Sequence, residues 1–155
     1  MIEVKNVTKS FDDKTILHDV SAKFHAGMTN LIIGQSGSGK TVLVKSIIGL
    51  VEPEKGEILY DGRDFLKMTL PQKKQLRTEI GMLFQGSALF DNETVLGNVM
   101  FPLKMFSNMT PAEMKDRAEF CIERVNLKGA ANKFPAEISG GMQKRVAIAR
   151  AIALN

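Results

Sequence analysis

The 155-residue sequence lacks several features that define whole classes of protein. Its single cysteine, Cys121, excludes a disulfide framework and a CxxC site, and is typical of a reducing cytoplasm. The apolar neighbours of Cys121 predict a core thiol. No apolar run approaches the roughly 20 residues that a membrane-spanning helix needs, and no signal peptide is recognised. We therefore expect a soluble or peripheral protein.

Signatures of nucleic-acid binding and of metal binding are also missing. The net charge of +4 is modest, and the sequence has neither a long basic stripe nor an RNA-binding aromatic motif, so we expect no nucleic-acid partner. His18 and His25 lack metal-site spacing, which predicts structural or exposed roles. There is no internal repeat, and a hydrophobic content of 44% suits one ordinary globular domain.

One glycine-rich stretch, residues 34–41, matches the P-loop pattern G-x-x-x-x-G-K-[ST] at every fixed position. The apolar residues 31–33 before it predict a buried strand, and the apolar residues of 42–48 after it predict a buried helix. An accidental match in such a chain has a probability on the order of half a per cent. The stretch therefore predicts a nucleotide-binding protein.

The residue types of this stretch suit a chain of phosphates. Glycines allow successive backbone N–H groups to point inward, and the following helix adds its positive N-terminal end. Lys40 supplies a charge to the β- and γ-phosphates and is a candidate catalytic residue, while the hydroxyl of Thr41 is placed to ligate Mg²⁺. The candidate nucleotide-binding residues here are Gly34, Gln35, Ser36, Gly37, Ser38, Gly39, Lys40 and Thr41.

Apolar runs and turn signals predict strands on both sides of the P-loop. The predicted strands cover residues 2–4, 15–24 (as one or two strands), 56–60 and 80–84. Asp61-Gly62 predicts a hairpin turn, and a short polar helix is expected from Thr69 to Leu76. Gln85 ends the last strand, and ligand contacts in α/β sheets gather at the carboxyl ends of strands.

Two further helices are marked by their first residues. Residues 110–113 form a capping box with proline at the first helical position, which predicts a helix to about Leu127. Ser139-Gly140-Gly141 precedes a second helix, in which one face carries Met142, Val146, Ala149 and Ile152. In isolation, residues 139–141 are equally well an ordinary N-cap and turn.

The P-loop, Gln85 and the helix opening at residues 138–143 together resemble the nucleotide-binding domain of ABC transporters. The resemblance covers essentially the whole chain. It implies an α/β P-loop NTPase fold of the ABC type, with an N-terminal antiparallel β subdomain, a helical signature subdomain and an incomplete core parallel sheet. It further implies a single domain over 1–155, in which about 1–84 and 135–155 form the core and β subdomain and about 85–134 form the helical subdomain.

The resemblance also implies ATP and Mg²⁺ as cofactors and assigns roles to residues. Gln85 matches a glutamine that acts in catalysis and contacts the metal. Ser139, Gly140, Gly141 and Met142 match the signature motif, whose helix N-terminus holds the γ-phosphate bound by the second subunit's P-loop. Phe11 would stack on adenine, although a core role fits the sequence equally well.

Met142 stands where the commonest signature motif has glutamine. With residues 38–45 and 82–91, this variant resembles the phospholipid-trafficking, Mla-type branch of the family. The implied partners are an integral membrane permease, a second nucleotide-binding subunit in a head-to-tail dimer and an MCE-domain lipid-binding protein. The implied location is the cytoplasmic, inner face of the cell membrane, with residues 85–103 as the permease-docking surface.

Two other classes remain open: a soluble ABC-type ATPase of DNA repair or translation, and a P-loop kinase. A kinase should lack the signature at 139–141, and the soluble ABC proteins usually carry large insertions or tandem domains that are absent here. Co-purification with an integral membrane protein would separate the classes.

The last residues, 151–155, coincide with the place where the family has a strand ending in a metal-holding Asp, followed by a Glu that polarises water and later by a histidine. We therefore expect the front part of a longer ATPase that does not hydrolyse ATP by itself. In the family, further strands lie between the P-loop strand and the strand ending at Gln85. Their absence predicts unpaired edges and exposed apolar faces.

Overall fold

Two long strands joined by a tight turn open the chain, and two shorter strands extend the same sheet. The strands are β1 (Ile2–Phe11), β2 (Lys14–Phe24), β3 (Lys55–Tyr60) and β4 (Arg63–Asp64). All neighbours are antiparallel, in the order β2-β1-β3-β4. Asp61 and Gly62 have φ of 47° and 80°, as a two-residue hairpin requires. The predicted N-terminal antiparallel subdomain is confirmed.

The computed structural model describes residues 1–154. Its contacts divide the chain into a first unit, Met1–Lys74, and a second unit from Gln75 onward. Each unit is described by itself below. The subdomain boundaries that the sequence predicts near residues 84 and 134 stay a prediction.

Strand β1 extends well beyond residues 2–4, which the apolar alternation predicts. The cause is a set of β-bulges at residues with a left-handed backbone conformation. The register of the sheet shifts at Asn6 and Asp19, both with φ of 51°, and the Asn6 side-chain amide donates to Asp19 Oδ1 at 2.9 Å. At Gly56 (φ 99°) a Cβ would lie 2.5 Å from the Lys5 carbonyl oxygen. Each bulge reverses which face the following side chains occupy, so the strand continues to Phe11 after the simple alternation has ended.

Five α-helices and two short 3₁₀ turns complete the described chain. The helices are α1 (Lys40–Ile47), α2 (Leu70–Thr78), α3 (Val95–Phe106), α4 (Pro111–Arg124) and α5 (Gly140–Ala151), and the 3₁₀ turns are Phe65–Lys67 and Pro135–Glu137. The sequence predicted all of the helices except α3. Within residues 1–154, none is both long and apolar enough to cross a bilayer.

The capping box of α4 has the predicted geometry. The backbone N–H of Glu113 donates to Thr110 Oγ1 at 3.4 Å, and the backbone N–H of Thr110 donates to Glu113 Oε2 at 2.7 Å. The backbone N–H and the hydroxyl of Thr110 both donate to Glu113 Oε2, and these bonds lower the pKa of the Glu113 carboxyl. The reciprocal bonds satisfy donors that a helix N-terminus otherwise leaves free, which fixes where α4 begins.

In the first unit, the sheet and α1 share an apolar core. Its buried side chains are Val4, Val7, Leu17, Leu43, Ile47, Ile58, Tyr60 and Phe65. The hydroxyl of Tyr60 donates to the Ile47 carbonyl oxygen at 2.7 Å, and burial raises the pKa of Tyr60 to about 12. This bond satisfies an orphan carbonyl at the end of α1 and ties the P-loop helix to β3.

The second unit has its own core between α3, α4 and α5. Its buried residues are Val95, Val99, Leu103, Ala118, Cys121, Ile122, Leu127, Ala130, Ile138, Val146, Ala149 and Ala153. Cys121 is fully buried, as predicted, and burial raises the pKa of its thiol. Ile152 departs from the predicted apolar face of α5, since it follows the helix and is 37% exposed.

Two apolar segments do not form the buried strands that the sequence predicts. Residues 31–33 and 80–84 belong to none of the strands in the described part of the chain. Leu31 and Ile33 are each 81% exposed, and Leu83 is 50% exposed. A strand needs a neighbouring strand to pair its backbone groups, and no described strand runs beside these segments. The two predicted strands are therefore wrong for the described residues.

Candidate nucleotide-binding site

The P-loop forms an open, glycine-dependent turn in the first unit. Gly37 and Gly39 have φ of 80° and 89°, and the Ser38 N–H donates to the Gln35 carbonyl oxygen at 3.2 Å. Gly39 is the N-cap of α1. Within the described residues, no side chain caps this N-terminus, and the first turn has no acidic residue. The first N–H groups and the positive end of α1 are thus available to an anion.

Gly39 also brings the loop into contact with β2. A Cβ at this position would lie 3.0 Å from Leu17 Cδ2 and 3.1 Å from the Ile16 carbonyl oxygen. The pairing of Lys9 with Leu17 and of Ser10 with Thr15 leaves Ile16 as the extra residue of a bulge. The bulge presents Ile16 to the loop, and only a residue without a side chain fits against it.

The side chain of Lys40 folds back into the loop. Its Nζ donates to the Gly34 and Gln35 carbonyl oxygens at 2.8 and 2.7 Å. These bonds hold the ammonium beside the inward-turned backbone. Thr41 follows in the first turn of α1 and is exposed, so its hydroxyl is accessible to a metal ion. The ammonium of Lys40, the backbone N–H groups of the loop and the hydroxyl of Thr41 together fit a metal-bound polyphosphate.

Phe11 borders the same cavity as the P-loop. The cavity has a volume of about 370 Å³ and is lined by Phe11, Ile16 and residues 36–42. Phe11 is 45% exposed, which places it outside the core of the first unit. An exposed aromatic ring beside a phosphate-binding loop provides a flat surface on which a nucleotide base can stack.

In the second unit, Gln85 lies in an exposed turn. The next residue, Gly86, has φ of 83°. The guanidinium of Arg150 on α5 donates to the Ser87 carbonyl oxygen at 2.8 Å and lies 5.7 Å from the centroid of the Phe90 ring. Helix α5 therefore holds the segment that follows Gln85, a contact that the sequence did not reveal.

Ser139 is the N-cap of α5, and its Oγ accepts a hydrogen bond from the Met142 N–H at 3.3 Å. Gly140 and Gly141 follow as its first helical residues, and no described atom lies within 4 Å of a Cβ built on Gly140. The first turn has no acidic side chain. Residues 139–142 thus form an accessible helix N-terminus, which suits an anion.

Asn98 is a second residue that sequence reasoning missed. It is fully buried on α3, and its Oδ1 accepts from the Phe90 N–H at 2.8 Å. Its Nδ2 lies 3.0 to 3.1 Å from the carbonyl oxygens of Phe90, Glu93 and Thr94. The sequence pattern could have identified Asn98. Val95, Val99 and Leu103 have the spacing of a buried helical face, and Asn98 is a polar residue on that face. Asn98 closes the loop between Gln85 and α3.

A family model described as ABC transporter matches residues 17–155. The chain belongs to the ABC transporter family. Its P-loop and Phe11 lie in the first unit, and Gln85 with the signature residues lies in the second. Among residues 1–154, no group of three or more His, Cys, Asp or Glu side chains could hold a metal ion.

Two curated ABC relatives match nearly the whole chain. The probable ribonucleotide transport ATP-binding protein mkl of Mycobacterium leprae is 42% identical over 154 residues, which are 99% of this chain and 44% of that protein. The intermembrane phospholipid transport system ATP-binding protein MlaF of Haemophilus influenzae is 40% identical over 155 residues, 100% of this chain and 59% of that protein. The chain thus spans about half the length of these relatives.

A solved ABC structure has the same fold. The dimeric structure of a post-hydrolysis state of the ATP-binding cassette MJ0796, bound to ADP and Pi, superposes with a TM-score of 0.89 at 34% identity. The superposition covers 100% of this chain and 70% of that one. The α/β P-loop fold of the ABC type, with its antiparallel sheet and helices, is confirmed.

Proposed function

We propose that this chain is the ATP-binding part of an ABC transporter, which couples ATP binding and hydrolysis to transport through a membrane permease. The observation that carries the proposal is the single cavity shared by the P-loop, Lys40, Thr41 and Phe11. A nucleoside triphosphate needs a phosphate cradle, a positive charge and a surface for its base, and this cavity offers all three.

Each residue of the cavity has a distinct role in this proposal. The backbone N–H groups of residues 36–41 bind phosphate oxygens, and Lys40 exchanges its carbonyl contacts for the β- and γ-phosphates. Thr41 and Gln85 would hold Mg²⁺. When bound, this ion neutralises negative charge on the phosphates. Phe11 stacks on adenine. Gln85 also orients the attacking water, which is a positioning task in phosphoryl transfer.

The proposed partners follow from the signature and from the relatives. Residues 139–142 offer an anion site at the N-terminus of α5, and MJ0796 was solved as a dimer. We therefore propose that a second ATP-binding subunit contributes the nucleotide that this helix faces, in a head-to-tail arrangement. An integral membrane permease is the second partner, which places the subunit at the cytoplasmic face of the cell membrane.

The cargo that we propose is a phospholipid or another lipid. Support comes from Met142 in the signature, from residues 82–91, and from 40% identity to a phospholipid transport ATPase over the whole chain. An MCE-domain lipid-binding protein is then a third partner. The relative named for ribonucleotide transport makes ribonucleotides the competing cargo. Transfer of labelled phospholipid by the reconstituted transporter distinguishes the two.

The decisive experiment changes Lys40 to Ala and titrates both proteins with a fluorescent ATP analogue in the presence of Mg²⁺. We expect Lys40→Ala to weaken binding by roughly 10- to 100-fold, because charge-assisted hydrogen bonds contribute about 1.5–3 kcal/mol. Lys45→Ala is the matched control, since Lys45 is an exposed lysine of the same helix. Equal affinity of wild type and Lys40→Ala would falsify the proposed nucleotide site.

The alternatives from other classes are a soluble ABC-type ATPase and a P-loop kinase. Membership of the ABC transporter family and the signature turn on α5 disfavour the kinase. Co-purification with an integral membrane protein distinguishes a transporter subunit from a soluble ATPase. The expectation that this chain alone does not hydrolyse ATP stays a prediction, which a phosphate-release assay on the chain tests.

A further inference from the structure

A short chain of charged contacts leads from Glu54, the residue before β3, to the ring of Phe11. Lys9 Nζ lies 5.1 Å from the centroid of the Phe11 ring. Glu54 Oε1 accepts a hydrogen bond from Lys9 Nζ at 2.6 Å, and Glu54 Oε2 accepts one from the Ser10 N–H at 2.7 Å. A single carboxylate thus binds both residues that precede Phe11.

The carboxylate that makes these contacts is itself fixed in place. The Glu54 N–H donates to the Thr8 carbonyl oxygen at 3.0 Å, which attaches residue 54 to β1 just before β3 begins. The Lys9 side chain is only 17% exposed, so most of its length is covered. The bonds from Lys9 and Ser10 lower the pKa of the Glu54 carboxyl, which keeps it ionised at neutral pH.

We propose that Lys9 and Glu54 are positioning residues that hold Phe11 as the base-stacking surface of the nucleotide site. The inference rests on the proposed function. The ammonium lies over one face of the ring, where it is attracted by the ring's negative π-face, so a base stacks on the opposite face. The pair therefore contributes to recognition of the base and leaves the phosphate cradle unchanged.

A positive charge near the site could instead act on the phosphates directly. If Lys9 acted in that way, removal of its charge would weaken the binding of a ligand without a base as much as the binding of ATP. Lys9 is neutralised by Glu54 at contact distance, which reduces the effect of its charge on the phosphates. The two explanations therefore differ in one measurable quantity, the affinity for inorganic tripolyphosphate.

The experiment measures dissociation constants of Mg-ATP and Mg-tripolyphosphate for the full chain by calorimetry. We expect Lys9→Met and Glu54→Gln to weaken ATP binding roughly two- to fivefold, the range of a cation–π contact at an exposed site, and to leave tripolyphosphate binding unchanged. Lys9→Arg should retain the wild-type affinity. Glu57→Gln is the matched control, because Glu57 pairs with Lys67 at 3.4 Å elsewhere on the same sheet.

A double-mutant cycle tests whether Lys9 acts through Phe11. In a Phe11→Leu background, Lys9→Met should cause no further loss of ATP affinity, since the ring that it positions is gone. This cycle needs only ATP and remains decisive if tripolyphosphate binds weakly. If Glu54→Gln unfolds, the two Lys9 variants carry the test.

Three outcomes would overturn the inference: equal weakening of ATP and tripolyphosphate by Lys9→Met, additive effects of Lys9→Met and Phe11→Leu, or full ATP affinity in Lys9→Met. Each of these leaves the proposed nucleotide site intact if Lys40→Ala still weakens ATP binding as expected. Failure of the proposed function is recognised separately, because Lys40→Ala would then leave both ligands unaffected.

Discussion

Gly39 lies where the phosphate loop meets β2, and it satisfies two requirements at once. Its φ of 89° belongs to the left-handed region that side chains disfavour. The space where a Cβ would lie is bounded by Leu17 and by the carbonyl oxygen of Ile16. Backbone conformation and close approach together keep the first N–H groups of α1 open to phosphate.

We expect Gly39→Ala to lower the free energy of unfolding by about 2–3 kcal/mol, because left-handed strain adds to the contact with β2. Urea unfolding of the full chain measures this. Gly62→Ala is the control, since Gly62 has a similar φ of 80° and no described atom within 4 Å of its Cβ position. It should cost only about 1 kcal/mol. Equal losses in both variants would show that the close approach has no energetic weight.

At the scale of elements, α3 is the helix that the sequence did not predict. Its N-cap is Thr94, whose side chain accepts from the Gly97 N–H at 3.1 Å. The polar Asn98 and the interior Pro102 interrupt its apolar pattern. Asn98 is nevertheless buried, because its amide satisfies backbone groups of the loop between Phe90 and Thr94. A polar residue is thus stable on the inward face of α3, because it forms hydrogen bonds with the backbone of the neighbouring loop.

Changing Asn98 to Ala should destabilise the protein by about 2–4 kcal/mol, since buried backbone groups of the loop lose their partners. Denaturant unfolding measures the loss. Asn108→Ala provides the control at an exposed asparagine in the loop after α3, where we expect a change within about 0.5 kcal/mol. The role assigned to Asn98 would be wrong if the two variants unfolded at the same denaturant concentration.

At the scale of the whole molecule, an apolar cavity in the second unit overlaps the segment that we propose as the docking surface of a permease. Its volume is about 340 Å³, and its lining includes Phe101, Pro102 and Phe106 of α3 together with Phe84 and Phe90. Exposed aromatic side chains beside the Gln85 turn offer an apolar contact surface to the proposed permease. This supports the predicted docking surface at residues 85–103.

Cysteine cross-linking to a co-expressed permease tests this surface. The only native thiol, Cys121, is buried and its pKa is raised, so it should not react. We expect Phe90→Cys and Phe101→Cys to cross-link, since both side chains are exposed and line the cavity. Lys128→Cys should remain free, since Lys128 is 87% exposed but lies in a different part of the unit. An absence of cross-links along residues 85–103, or equal cross-linking at position 128, would rule out the proposed surface.

The sequence by itself determined the features whose physical cause is local. The P-loop, the Asp61-Gly62 turn, the capping box at Thr110 and the Ser139 cap each depend on residues within a few positions of one another. Their hydrogen bonds and backbone angles follow from residue type, so they could be predicted without a fold. The nucleotide-binding interpretation comes from the P-loop, and the resemblance to ABC transporters adds Gln85 and the Ser139 cap to it.

Only the tertiary structure decided which distant groups meet. The contact of Glu54 with Lys9 joins residues 45 positions apart, and that of Arg150 with Ser87 spans 63. The structure also decided between the two roles that the sequence left open for Phe11, which is exposed beside the P-loop, and it showed that Leu31 and Ile33 are exposed and not part of a buried strand. An apolar run becomes a buried strand only when another strand pairs with its backbone, and that partner is supplied by the fold and not by the run itself.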